Sequence, residues 1–266
     1  MTRSQLIEQI HQKQSYLCVG LDTDIDKIPP HLLSAEDPIF EFNKQIIDAT
    51  KDFCVSYKIN TAFYEAMGVR GWETLQKTEA YIPSTHFKIA DAKRGDIGNT
   101  STQYAKAFFE ALNFDAVTVA PYMGADSVKP FLQYEGKWAI VLGLTSNEGA
   151  QDFEFQKLGD EYLYEKVLKT VSQWGTTENL MFVIGATQDT QFKQVRNLTP
   201  NHFYLVPGVG AQGASLKAIS EIAMNKDCGL LVNASRAVIY ASDGEDFASK
   251  AAEVAKAYQL EMSTYL

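Results

Sequence analysis

Short runs of β-branched, aliphatic and aromatic residues alternate along the chain with longer stretches whose apolar positions recur every three or four residues. These are the two periods of strand and helix. Eight such runs end in polar residues or glycine: 16–22, 52–60, 86–93, 116–122, 138–146, 179–187, 202–210 and 228–236. They begin about every 30 residues, the beat of repeated βα units. Between two of them, residues 100–112 (TSTQYAKAFFEAL) set Tyr104, Ala107, Phe108, Ala111 and Leu112 on one helical face, with Asn99 or Thr100 as cap. No linker or low-complexity tract interrupts the alternation. The pattern predicts an α/β fold, a (β/α)8 barrel forming a single domain over 1–266, because closing a parallel sheet removes its edges and buries its apolar runs. A doubly wound open sheet is the alternative. Residues 24–38, with three prolines, read as a long loop after the first strand, and 147–158 as a second loop that is a candidate lid.

Composition narrows the partners. With 24 Lys plus Arg against 33 Asp plus Glu, the net charge of −9 argues against a broad face for nucleic acid or anionic membrane. Any anionic ligand must be held locally. Cys18, Cys54 and Cys228 lie in apolar runs and read as buried thiols of a reducing cytoplasm. Residues 1–14 are polar and lack a signal-peptide core, and the longest apolar run, 138–144, is too short for a bilayer. A cytoplasmic protein is expected. His11, His31, His86 and His202 are scattered away from the strand ends and suggest no metal site.

In a barrel the C-terminal strand ends meet at one mouth, and here they carry charge. The third run delivers IADAKRGDIGNT, with Asp91 and Lys93 two positions apart and so on one side of a regular strand. Asp96 follows on the loop and Thr100 opens the next helix. Lys58 ends the second run, in VSYKIN, and Asp22 ends the first, in VGLDTD.

DAKRGDIGNT resembles the Asp-x-Lys-x-x-Asp signature of the orotidine 5′-phosphate decarboxylase family, in the longer form found in many bacteria. GLDTD at 20–24, YKIN at 57–60, FYEAMG at 63–68, VTVAPYMG at 117–124, LTSN at 144–147, PGVGAQG at 207–213 and NASR at 233–236 extend the likeness over nearly the whole chain. It implies decarboxylation of orotidine 5′-monophosphate to UMP, the last step of pyrimidine nucleotide synthesis, with no metal and no organic cofactor. Lys93 would stabilise and protonate the C6 carbanion, Asp91 would lie beside the departing carboxylate, and Lys58 would offset the carboxylates and reach a ribose hydroxyl. Asp22 would accept a hydrogen bond from the ribose. The resemblance also implies a homodimer with shared sites, in which Asp96, Ile97 and Thr100 come from the neighbouring subunit.

Ser146 matches the family position that reads the pyrimidine amide edge, with Asn147 beside it. The phosphate would fall to the last two strands, where Pro207 opens a Gly-rich turn with Gly208, Gly210, Gln212 and Gly213, and Arg236 offers a bidentate guanidinium. Ala120 stands where many relatives carry Asn, and Gly213-Ala214-Ser215 replaces a commoner Gly-Gly-Asp. Two other readings remain: a metal-assisted sugar-phosphate decarboxylase or aldolase of the same superfamily, and a non-catalytic nucleotide-binding barrel.

Overall fold

Strands buried on both faces need continuous apolar sequence, and eight such segments close on one another in the computed structural model, which describes residues 1–185, 189–209 and 215–266. They are β1 (Leu17–Gly20), β2 (Ser56–Asn60), β3 (Phe87–Arg94), β4 (Ala116–Val119), β5 (Trp138–Leu144), β6 (Leu180–Ile184), β7 (Phe203–Pro207) and β8 (Leu230–Ala234). All are parallel, and β1 pairs with both β2 and β8, so the sheet is a closed barrel in sequence order and not an open one. Several strands stop short of the expected runs. Asp22, Ser146 and Arg236 therefore fall just past the last paired residue, where backbone ladders no longer fix the chain and side chains face the mouth.

Alternation decides which side of each strand meets the core. The Tyr57 hydroxyl, bonded to Thr50 Oγ1 at 2.8 Å and Ile47 O at 3.1 Å, points outward to the helix Pro38–Thr50. Lys58, one residue on, turns inward. The helix Arg3–Lys13, capped by a reciprocal Thr2 and Gln5 pair, buries Leu6 and Ile10 over the opposite end of the barrel.

The helix expected over 100–112 differs in two ways. It begins at Gly98 with Ile97 as N-cap, and after Lys106 it widens into a π-turn over Ala107–Ala111. The extra residue per turn rotates the face, burying Ala105 and Phe109 beside Phe108 and leaving Ala111 exposed. The segment 147–158 is not an open loop. It holds a short helix, Ala150–Phe153, and one arm of a small hairpin, Lys157–Leu158 against Glu161–Tyr162. Cys18, Cys54 and Cys228 are unpaired and buried, with burial pushing their thiols up to about 12, about 11 and about 12. Among the described residues no helix is long and apolar enough to cross a membrane.

Candidate active site

At the mouth, β1, β2 and β3 place their terminal charges in one line. Lys58 Nζ donates to Asp22 Oδ1 at 3.1 Å and to Asp91 Oδ2 at 3.0 Å, and Lys93 Nζ donates to Asp91 Oδ1 at 2.6 Å. Asp22, Lys58, Asp91 and Lys93 thus alternate in sign, and both Asp91 oxygens accept from a lysine. Lys58 is 4% exposed while the Lys93 side chain is 52% exposed, so the line runs from the protein interior to the open mouth.

At the two buried members of this line, Asp91 and Lys58, burial opposes the charge and the neighbours decide the outcome. For Asp91, desolvation favours the neutral acid, but Lys58 and Lys93 outweigh it and hold the carboxyl far below the usual carboxylate range. For Lys58, desolvation favours the amine, and Asp91 and Asp22 together outweigh it, raising its pKa above the ordinary lysine value. Both groups are charged at neutral pH.

The likeness in direction of Asp91 and Lys93 does not come from regular alternation. Between Ala90, which pairs with Val117, and Arg94, which pairs with Val119, β3 bulges, and Lys93 adopts a left-handed backbone with φ of 45°. Thr118 faces that bulge. The Arg94 guanidinium then turns away, paired with Glu65, bonded to Ala92 O at 3.2 Å and lying 5.4 Å from the Tyr104 and Phe108 ring centres. Behind Asp22, Thr23 Oγ1 donates to Asn43 Oδ1 at 2.6 Å, Asn43 Nδ2 donates to the Tyr64 hydroxyl at 2.8 Å, and that hydroxyl donates to Leu21 O at 3.1 Å. Residues on both sides of Asp22 are pinned from within.

A second group lies where β7, β8 and β1 meet. Asp22, Gly208, Asn233, Ser235 and Arg236 line a cavity of about 120 Å³. Arg236 is exposed at its rim. The first and eighth strands approach so closely that a Cβ on Gly20 would lie 1.9 Å from Ser235 Oγ. Pro207, the last residue of β7, is in register with Asn233. Across the mouth, Ser146 and Asn147 follow β5. Glu154 anchors that end, its carboxylate accepting from the Thr145 N–H and hydroxyl, each at 2.7 Å. Gly185, after β6, leaves room for Ser146, since a Cβ there would lie 2.6 Å from Ser146 N.

Asp96, Ile97 and Thr100 are not drawn into the line. Asp96 Oδ1 accepts from Ile97 N at 2.8 Å, and among the described residues no cation lies within ion-pair distance of it. Ile97 is 58% exposed, and Tyr122 and Met123 stand out from the loop after β4. Gln212, Gly213 and Gly210 lie outside the described residues. Among those described, no group of three His, Cys, Asp or Glu residues is arranged to hold a metal ion. The cation between the carboxylates of Asp22 and Asp91 is the Lys58 ammonium.

Thr118, Glu154, Asn233 and Gly185 were not singled out from sequence. A threonine inside VTVA reads as an ordinary strand former, and Gly185 as an ordinary strand end. Only Asn233, a polar residue inside the apolar run LLVNA, carried a visible signal.

Comparison with known proteins identifies the family. Residues 15–251 match the model of the family described as orotidine 5′-phosphate decarboxylase / HUMPS. The chain is 60% identical to the orotidine 5′-phosphate decarboxylase of Flavobacterium johnsoniae over 266 residues, covering 99% of this chain and 97% of that one. It is 57% identical to that of Phocaeicola vulgatus over 266 residues, covering 98% of each. The solved OMP decarboxylase of Leishmania donovani superposes with a TM-score of 0.82 at 36% identity, covering 98% of this chain and 99% of that one. On these grounds the chain belongs to the orotidine 5′-phosphate decarboxylase / HUMPS family.

Proposed function

We propose that this protein decarboxylates orotidine 5′-monophosphate to UMP and CO2, the step that completes pyrimidine nucleotide synthesis. The observation that carries the reading is the line Asp22, Lys58, Asp91, Lys93 at the barrel mouth. Breaking the bond from C6 to the carboxylate leaves its electron pair in the ring plane, where no ring carbonyl delocalises it. Fixed positive charge at C6 is then the available stabiliser. Lys93 supplies it and donates the proton that takes the place of CO2, recovering a proton from solvent through its exposed side.

Asp91, kept ionised by its two lysines, sits beside the substrate carboxylate. Two like charges about 4 Å apart repel by roughly 4 kcal/mol at an effective dielectric near 20, and departure of neutral CO2 relieves that repulsion. Lys58 and Asp22 face the ribose, Ser146 and Asn147 the pyrimidine edge. Arg236, with Pro207, Gln212 and Gly213 of the preceding turn, takes the phosphate. The metal-assisted sugar-phosphate reading is disfavoured by Lys58, whose ammonium stands between the two carboxylates such an ion would need.

The active unit is a homodimer in the cytoplasm. Asp96 of one subunit extends the charged line of the other, with Ile97 and Thr100 beside it. Support comes from the Asp96 carboxylate, which meets no cation among the described residues, and from exposed Ile97, Tyr122 and Met123 close by. The segment 147–158 closes over bound nucleotide.

The direct test is release of UMP from orotidylate by purified, chelator-treated protein. Absence of UMP, or turnover of a sugar phosphate only when Mg2+ is added, would overturn the reading. The shared site has its own test. Mixed K93A and D96N subunits form hybrids with one intact site and regain activity that each parent lacks. No recovery on mixing would place Asp96 and Lys93 in the same chain's site.

A further inference from the structure

Lys93 is held by more than its partner carboxylate. Its backbone sits in the left-handed region, which a lysine adopts only when its surroundings fix it there. The surroundings that do so are one residue of the neighbouring strand. In the ladder between β3 and β4, Val117 pairs with Ala90 and Val119 with Arg94, so Thr118 alone faces the three residues Asp91, Ala92 and Lys93. At that bulge the backbone ladder offers Lys93 N–H no regular partner, and it donates instead to Thr118 Oγ1 at 2.8 Å. The same hydroxyl donates to Asp91 Oδ1 at 3.0 Å, the oxygen that accepts from Lys93 Nζ.

A closed ring results: Lys93 N–H to Thr118, Thr118 to Asp91, and Lys93 ammonium to the same Asp91 oxygen. One hydroxyl accepts from the main chain of the lysine and donates to the partner of its side chain. Thr118 is fully buried, and neither hydrogen bond leaves it a free proton for a ligand. We propose that Thr118 is a positioning residue for the decarboxylation: it fixes the Lys93 backbone and selects the Asp91 oxygen that holds the ammonium. The effect on catalysis rests on the proposed function, whereas the effect on Lys93 itself does not. A residue of this kind changes the height of the barrier more than the grip on substrate, because it touches neither base, ribose nor phosphate.

The test compares T118V, which keeps the shape and removes both hydrogen bonds, with T118S, which keeps both. In T118V kcat for orotidylate should fall about ten- to a hundredfold with KM within about threefold, and T118S should stay within about threefold of wild type. Independently of turnover, Lys93 should be modified by an amine-reactive acyl reagent at least about threefold faster in T118V, read by peptide mass spectrometry, and no faster in T118S. Equal Lys93 labelling in T118V and wild type overturns the proposal, as does a loss that T118S shares in full. If T118V fails to fold, T118A measured against T118S makes the same comparison. Wild type inert toward orotidylate would overturn the proposed function, while the labelling contrast would still decide the role of Thr118.

Discussion

The two ends of the barrel both take charged side chains out of water, and they dispose of them in opposite ways. At the closed end, Arg196 donates to the carbonyls of Ala223, Thr199, Pro200, His202 and Gly229 while its guanidinium lies 3.8 Å from the Tyr204 ring centre. Lys13 likewise gives its ammonium protons to Lys51 O and Cys54 O, with His86 Nε2 2.6 Å away. Arg3 reaches Thr177 O, Asn201 O and Asp227. Such cations are spent mainly on main-chain acceptors and tie the loops together. At the mouth, Lys58 and Lys93 meet only carboxylates, and Lys93 keeps half of its side chain open to a ligand. A buried cation surrounded by carbonyls is a fastener, whereas one paired with carboxylates and left open on one side is a reagent.

Substitutions at each end should separate these uses. Removing the reagent, K93A, should lower kcat for orotidylate by about a thousandfold or more while moving Tm little. A loss below about tenfold would deny Lys93 its role. Removing a fastener, R196M, takes the guanidinium from five carbonyls, several of which, Thr199 O and Gly229 O among them, keep another donor, and should cost about 3 kcal/mol, lowering Tm by roughly 5–10 °C, with kcat per folded molecule within about twofold of wild type. A large fall in kcat there would erase the distinction between the ends. R236A, at the mouth but outside the charged line, should raise KM by about tenfold to a hundredfold through loss of the proposed phosphate contact, and a KM within about twofold of wild type would remove Arg236 from that role.

Acid supplies the smallest and slowest test. His86 and His202, both at the closed end, are held neutral: burial first, then Lys13 beside one and Arg3 and Arg196 beside the other, bring each down to about 4. The unfolded chain binds those protons near the ordinary histidine value of about 6.5, so their contribution to stability is full above that pH and drains away as pH falls toward about 4. Asp91 has the same sign but starts from a lower pH. Its folded pKa is lowered, so its contribution is full above about 3.9 and is lost only as pH falls further. Denaturant unfolding between pH 7.5 and 4.5 should therefore show the closed end weakening first. H202F should flatten that slope by roughly half, because among the described residues neither ring nitrogen of His202 has a hydrogen-bond partner to lose. An unchanged slope would exclude His202 as a source of acid sensitivity.

How much of this was legible in the sequence follows from range. The eight strands were, because a strand covered on both faces must be apolar throughout and its end shows as the first charge. Asp22, Lys58, Asp91, Lys93 and Arg236 were visible for the same reason. The bulge in β3 was not: DAKR contains no glycine or proline to announce it, and the interaction that fixes it comes from Thr118, 25 residues from Lys93. Regular alternation would have brought Asp91 and Lys93 to one side as well, so the right neighbours were inferred from the wrong geometry. The π-turn at Ala107–Ala111 escaped for a similar reason, since its residues are good α-helix formers and only packing against the barrel selects the wider turn. Arg196 carried no signal because its partners are main-chain atoms, which leave no trace in a side-chain pattern.

The contact between Gly20 and Ser235 carries a consequence for how this chain can vary. Those two positions sit on the seam where the first and last strands of the cylinder are zipped, with Asp22 two residues beyond one and Arg236 one beyond the other. A methyl at 20 alone would wedge the seam apart and separate Asp22 from Arg236. The same methyl accompanied by glycine at 235 would lose the Ser235 clash and meet Asn233 Oδ1 at 3.2 Å, which a small shift of that side chain relieves. Tolerated changes at this join should therefore arrive as compensating pairs, a hidden coupling between residues 215 positions apart in the chain.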